Sequence, residues 1–167
     1  MKKSIKNDNI RFGREEALKR VSSFLEEPKS LGLKFEIAGS FRRGAETVGD
    51  IDIVAFDQDV CWWHWHVGKF GGNPWAMGSR NLDFDLDGFP VNIRFFSSKE
   101  WGAGLLFLTG SKEFNIICRN KARSLDLTLN QYDLFDLEGN PLGLGKKEAW
   151  ILEKLGLMEY LDPVARL

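Results

Sequence analysis

Residues 39–54 read Gly39-Ser40-Phe41-Arg42-Arg43-Gly44-Ala45-Glu46-Thr47-Val48-Gly49-Asp50-Ile51-Asp52-Ile53-Val54. The β-branched and aromatic run Ile51–Phe56 predicts a strand. Asp50 and Asp52 stand two apart, so both carboxylates point to one face, roughly 6.5 Å apart at Cα. Ile51 and Ile53 point the other way, into a core. Two carboxylates on one face repel each other, and a divalent cation relieves the repulsion; oxygen-only ligands favour magnesium or manganese. Upstream, Gly39-Ser40 ends a strand predicted over Lys34–Ala38, in a turn whose N–H groups and hydroxyl can cradle a phosphate. Arg43 adds a charge-assisted donor. Taken singly, a D-x-D pair is usually a solvated edge and a Gly-Ser pair carries no information. Together, phosphate donors beside a metal-binding carboxylate pair can hold a nucleoside triphosphate and expose its α-phosphate to attack.

Outward from this stretch, residues 14–27 place Ala17, Leu18, Val21, Phe24 and Leu25 at helical spacing, and Pro28 and Gly32 are expected to end that helix. Residues 57–80 read as irregular, broken by Gly68, Gly71, Gly72, Pro74 and Gly78. As a strand, the stretch 61–66 would turn Cys61, Trp63 and Trp65 inward and Trp62, His64 and His66 outward, where they could stack on a base. A zinc site on Cys61, His64 and His66 lacks a second ligand pair. Residues 82–96 alternate on either side of Asp87-Gly88, a hairpin signal. Asp83, Asp85 and Asp87 share one face of its first strand and read as solvated. A second helix, 112–125, turns Phe114, Ile117, Cys118 and Leu125 inward and Lys112, Asn115, Arg119 and Arg123 to a polar stripe. Residues 126–142 suggest a hairpin turning at Glu138–Asn140, and 148–161 a final helix stopped near Asp162-Pro163. The sum is an α+β (mixed α/β) chain with a mostly antiparallel or mixed sheet.

The 167 residues, 43% hydrophobic and 28% charged, have the composition of an ordinary globular protein and argue against a disordered or fibrous one. No stretch reaches the roughly 18 apolar residues of a membrane span. The N-terminal lysines lack the apolar core of a signal peptide, so an intracellular protein is expected, cytoplasmic or viral in a host cell, with Cys61 and Cys118 reduced. Lys+Arg 23 against Asp+Glu 24 leaves a formal charge of −1. That excludes a strongly basic binder of long nucleic acid; any such grip is local, weak or assisted by metal ions.

With the flanking stretches in place, residues 39–54 resemble the signature of the nucleotidyltransferase superfamily, and in detail that of family X DNA polymerases, in a minimal form similar to small viral members. The likeness continues in LLFLTGSKEFNIICRNKA (105–122) and LNQYDLF (129–135), and more weakly in GLMEYLDP (156–163). It implies a palm-like domain over 1–100 and a C-terminal nucleotide- and template-binding subdomain over 101–167. It also implies template-directed addition of deoxynucleotides to a primer 3′-hydroxyl by two-metal phosphoryl transfer, of gap-filling or repair type. The partners would be primer–template or gapped DNA and deoxynucleoside triphosphates, with two Mg2+ ions (Mn2+ can substitute), no membrane, and a monomeric protein. Carried over by residue, Gly39, Ser40, Arg43 and Gly49 hold the triphosphate, and Asp50 and Asp52 bind both metals. Thr109-Gly110-Ser111 forms the turn under the sugar, with Gly110–Ser111 a candidate cis peptide. Phe107 and Leu108 lie where the sugar is checked, Leu108 in place of an aromatic. Asn115 reaches the edge of the incoming base, and Arg119, with Lys112 and Arg123, the DNA. Arg94 matches an arginine that pairs with the second catalytic aspartate when the site is inactive.

The chain departs from this pattern at Val91-Asn92-Ile93-Arg94, where the resemblance implies a third catalytic carboxylate. Asn92 stands there, and an amide can ligate weakly but carries no charge and accepts no proton. Either an engineered Asp-to-Asn exchange, favoured by the intact remainder, or a natural loss accounts for it. The competing readings are a catalytically dead nucleotide- or DNA-binding protein and a nucleotidyltransferase with a non-DNA acceptor; the Asn115/Arg119 pair argues against the latter. If another carboxylate served instead, Asp85 or Asp87 would come first. Larger relatives place a DNA-binding lyase domain before this core, and with about thirty residues ahead of it here, lyase activity is not expected and DNA affinity should be weak.

Overall fold

A computed structural model describes residues 10–166. Its centre is a five-stranded mixed sheet in the order β2-β4-β7-β6-β5, made of β2 (Phe35–Ile37), β4 (Ile51–Phe56), β7 (Phe89–Phe96), β6 (Asn81–Leu86) and β5 (Asn73–Met77). Strands β4 and β7 run parallel and the other neighbours antiparallel. A two-stranded ribbon pairs β1 (Phe12–Gly13) with β3 (Thr47–Val48). The sheet face formed by Ile51, Ile53, Val91, Ile93, Leu82 and Phe84 packs against Ala17, Val21 and Phe24 of α1 (Arg14–Ser30) and Trp63 and Val67 of α3 (Val60–Lys69). Alternation therefore sends Asp52, Asn92, Arg94, Asp83 and Asp85 to the opposite face. One end of that face is covered by α4 (Trp101–Thr109), through Trp101 and Leu105 against Val54 and Phe96. A second apolar cluster joins α4, α5 (Lys112–Arg123) and α6 (Glu148–Leu155). Among the described residues no helix is long and apolar enough to cross a membrane.

The sheet and its central hairpin follow the sequence pattern; Asp87 and Gly88 both take positive φ, as a tight two-residue turn requires. Four expectations are corrected. Residues 57–80 are regular: α3 and β5 occupy most of them. With 3.6-residue periodicity Trp63, His66 and Val67 go inward, whereas Trp65 and Cys61 are exposed, so His66 is not an outward-facing stacking group. Helix α5 buries Phe114, Cys118 and Ala122 and leaves Ile117 and Leu125 exposed, because the apolar stripe follows i, i+4, i+8. The C-terminal ribbon pairs β8 (Thr128–Leu129) with β9 (Leu134–Phe135) across a turn at 130–133, where Asn130 accepts from the Tyr132 N–H, and the chain turns again at 136–140, bridging Phe135 to Pro141, as the sequence suggests for Glu138–Asn140. Sequence periodicity also gave no sign of α4, which is buried nearly all round and has no polar face to mark it.

The fourth correction is Pro28, which lies inside α1 rather than ending it. A proline has no N–H, so the carbonyl four residues back, on Phe24, loses its helical donor. His66 replaces it: Nε2 lies 2.7 Å from Phe24 O, and since a carbonyl only accepts, Nε2 carries the proton. The imidazole is fully buried, stacked on Trp62, with Nδ1 3.3 Å from Glu27 Oε2. Lys69 also pairs with Glu27 and is the main cause of that carboxyl's lowered pKa. His66→Leu, which fills the space but leaves the carbonyl unpaired, is expected to cost about 1–3 kcal/mol in urea unfolding. A loss below a few tenths would show that this carbonyl finds another donor.

Candidate active site

Three elements converge on the open end of the sheet. The stretch after β2 turns at once into a short helix, α2 (Gly39–Arg42), instead of an open loop. Gly39 begins it with φ +60, and a Cβ there would collide with the Asp52 carboxylate, so only glycine allows α2 to cross so close to β4. Asp52 lies in β4 and Asp50 one residue before it. The parallel register sets Asn92 of β7 beside Asp52. Its Nδ2 donates to Asp50 Oδ2 and to Asp52 Oδ1, each at 3.3 Å. The two carboxylates are therefore bridged by an amide, which offsets their repulsion with two N–H bonds.

An open cleft of about 590 Å³ runs from Ser40, Arg43, Asp50 and Asp52 across to Leu108, Gly110, Lys112, Asn115 and Arg119. Gly39 and Phe107 also line it, whereas Gly49, Asn92 and Arg123 do not. Arg43 donates through Nη1 to the Thr109 carbonyl, tying α2 to the end of α4. Its Nε is buried and finds no acceptor among the described residues. Burial lowers the Arg43 pKa, against the opposing pull of the Asp52 and Glu113 carboxylates. A partly desolvated guanidinium lining a cleft is suited to an anion.

Across the cleft, the Gly110–Ser111 peptide is cis and Ser111 caps α5, accepting from the Phe114 N–H at 3.3 Å. Asn115 donates to the Phe107 carbonyl at 2.8 Å, and Arg119 lies over the Phe107 ring. Asn115 and Arg119 share one stripe of α5, with Lys112 at its start and Arg123 at its last turn. Thr109 is fully buried, and its hydroxyl accepts from Arg42.

Three features were not legible in the sequence. Arg11, held by Thr47 across the β1–β3 ribbon, brings Nη1 and its positive charge beside Gly49. Arg42 grips Glu148 of α6 through both nitrogens at 2.9 and 2.7 Å, and Glu148 also accepts from the fully buried Arg166 guanidinium. Gly102 makes that junction possible, since a Cβ there would meet the Lys147 backbone just before Glu148. Finally, Arg94 pairs with Asp83 on β6, so Asp83 is not the solvated residue its alternation suggests. Register also puts Asp83 directly opposite Asn92, whereas Asp85 faces Pro90 and Asp87 lies in the turn. Neither Asp85 nor Asp87 is thus the nearest alternative carboxylate.

A divalent cation fits this donor set in part. Asp50 and Asp52 offer converging oxygens, but Asn92 presents its N–H face and would have to rotate its amide to offer Oδ1. Among the described residues no three His, Cys, Asp or Glu side chains are grouped to hold a metal ion. Compared with known families, residues 11–64 match the DNA polymerase beta palm and residues 104–167 the DNA polymerase beta thumb.

Proposed function

The chain is a family X polymerase-like protein with a polymerase beta palm and thumb, and from that premise we propose that it is a template-directed DNA polymerase of gap-filling type, slowed by Asn92. The observation that carries this reading is the meeting, in one cleft, of the Asp50–Asp52 pair and the Arg43 guanidinium. In the transfer, the primer 3′-oxygen bonds the α-phosphorus of a deoxynucleoside triphosphate. The bond from that phosphorus to the β-phosphate bridge breaks, pyrophosphate leaves, and the hydroxyl proton passes to water. Arg43, Arg11, Ser40 and the Gly39 and Gly49 backbone hold the triphosphate. Phe107, Leu108 and Gly110 bound the sugar, Asn115 the base edge, and Arg119, Lys112 and Arg123 the DNA. Asp50 and Asp52 would hold magnesium, or manganese in its place, and the bound ion supplies charge neutralisation at the triphosphate. Asn92 positions the carboxylates but takes up no proton. A second reading, a nucleotide- and DNA-binding protein without chemistry, draws on the Asn92 amide bridge alone.

Separate titrations of nucleotide and of gapped DNA test the assignment. Arg43→Ala is expected to weaken nucleotide binding about tenfold or more with little change for DNA, the scale of a hydrogen bond to a charged group. Arg119→Ala is expected to do the reverse. An Arg43→Ala variant altered only in DNA affinity would refute the phosphate role.

A further inference from the structure

A separate cavity, of about 680 Å³, shares no lining residue with the cleft. Its size is that of a small-molecule site. Three segments distant in sequence line it: Lys99 just before α4, Tyr132–Phe135 at the start of β9, and Lys146 just before α6. Gly145 pins them together. A Cβ there would collide with the Tyr132 and Lys99 carbonyls, and its own carbonyl accepts from the Ala103 N–H at 2.8 Å. The two carboxylates in the wall are already engaged. Glu100 takes the Arg80 guanidinium by a fork at 2.8 and 3.3 Å, and Asp133 accepts from the Leu134, Gly143 and Leu144 N–H groups. Lys99 and Lys146 are exposed and have no carboxylate partner among the described residues. Two like charges on one cavity repel each other, and a doubly charged anion between them relieves the repulsion. Beside the ammonium groups stand the half-buried rings of Tyr132 and Phe135. Such rings offer a stacking platform to any base, because every base has a π-face.

We propose that this cavity is a second nucleotide site, taking the phosphate of a nucleotide between Lys99 and Lys146 and its base against Phe135 and Tyr132. The nucleotide comes either free or as one unit of a single strand. The cavity holds it without using Asp50, Asp52 or Arg43, so the site stands or falls apart from the reading of the cleft.

Amide chemical shifts of the full chain, labelled with nitrogen-15 and kept in EDTA so that no metal enters the cleft, test it. The probes are 2′-deoxyadenosine 5′-monophosphate and a short oligo(dA) strand. The monophosphate is expected to shift the Lys99, Phe135, Gly143 and Lys146 amides saturably. Lys99→Gln/Lys146→Gln, two exchanges of exposed side chains, should weaken that binding about tenfold or more, the scale of a hydrogen bond to a charged group. Arg43→Ala should leave it unchanged. Deoxyadenosine and inorganic phosphate each carry half of the chemistry, and each should bind at least about tenfold more weakly than the monophosphate. Tighter binding of oligo(dA) at the same amides would mark a strand as the source of the nucleotide, and equal or weaker binding a free nucleotide; either supports the site. Deoxyadenosine or phosphate alone binding as tightly as the monophosphate would overturn it, as would a double glutamine variant that binds like the parent. No saturable shift at these amides with either probe, or shifts confined to the cleft, would overturn it as well.

Discussion

Asn92→Asp is expected to raise primer extension on gapped DNA by about 10²–10⁴-fold, the usual contribution of a positioned general base. The backbone is already in place. Asn92 lies in register with Asp52, and its Nδ2 sits 3.3 Å from both site carboxylates. Replacing the amide by a carboxylate adds a proton acceptor and a third anionic oxygen donor without moving a strand. The same exchange removes two N–H bonds and sets three like charges together. In EDTA the variant should therefore melt several degrees below the parent, as a loss of about 1–3 kcal/mol implies for a chain of this size. Magnesium should recover most of that loss in the variant and little in the parent. Equal extension rates for the parent and Asn92→Asp, in magnesium and in manganese alike, would mean that Asn92 is not at the limiting step. No extension by either chain under any metal would leave the non-catalytic binding reading in possession of the site.

Glu148→Ala should produce the largest loss of stability, about 3–5 kcal/mol, the cost of removing one partner from a buried charge network. Glu148 accepts from Arg42 of α2 and from Arg166, whose side chain is fully buried. Arg166 also donates to the Tyr160 and Leu161 carbonyls, but these carry no net charge to replace the carboxylate. Two guanidiniums would be left together with no carboxylate partner among the described residues. Thermal and urea unfolding should agree on the loss, and Glu148→Gln should fall between the parent and the alanine variant. Because Arg42 precedes Arg43 and also holds the Thr109 hydroxyl, nucleotide affinity is expected to drop as well. A loss under about 1 kcal/mol would place the network among weak surface pairs.

The sequence by itself determined the parts that depend on near neighbours. Alternation in Ile51–Phe56 and in 82–96, with Asp87-Gly88 between two apolar runs, specifies β4, β6 and β7 and assigns each aspartate to a face, because side-chain direction in a strand has a period of two. The amphipathic spacing of α1 and α5 specified that both are helices, though it turned Ile117 and Leu125 inward where the structure leaves them exposed. A run such as Val60-Cys61-Trp62-Trp63-His64-Trp65-His66-Val67 has no clean period, so only the docking of Trp63, His66 and Val67 under the sheet made it a helix. Pro28 is tolerated inside α1 because a histidine distant in sequence supplies the missing donor. Register across the sheet decided which aspartate faces Asn92 and which holds Arg94, and a shift of one residue would have reversed every face. The meeting of Arg11 with Gly49, and of Arg42 and Arg166 on Glu148, was likewise decided by tertiary structure. Charges distant in sequence carry no local pattern, and only the packed chain brings them within reach.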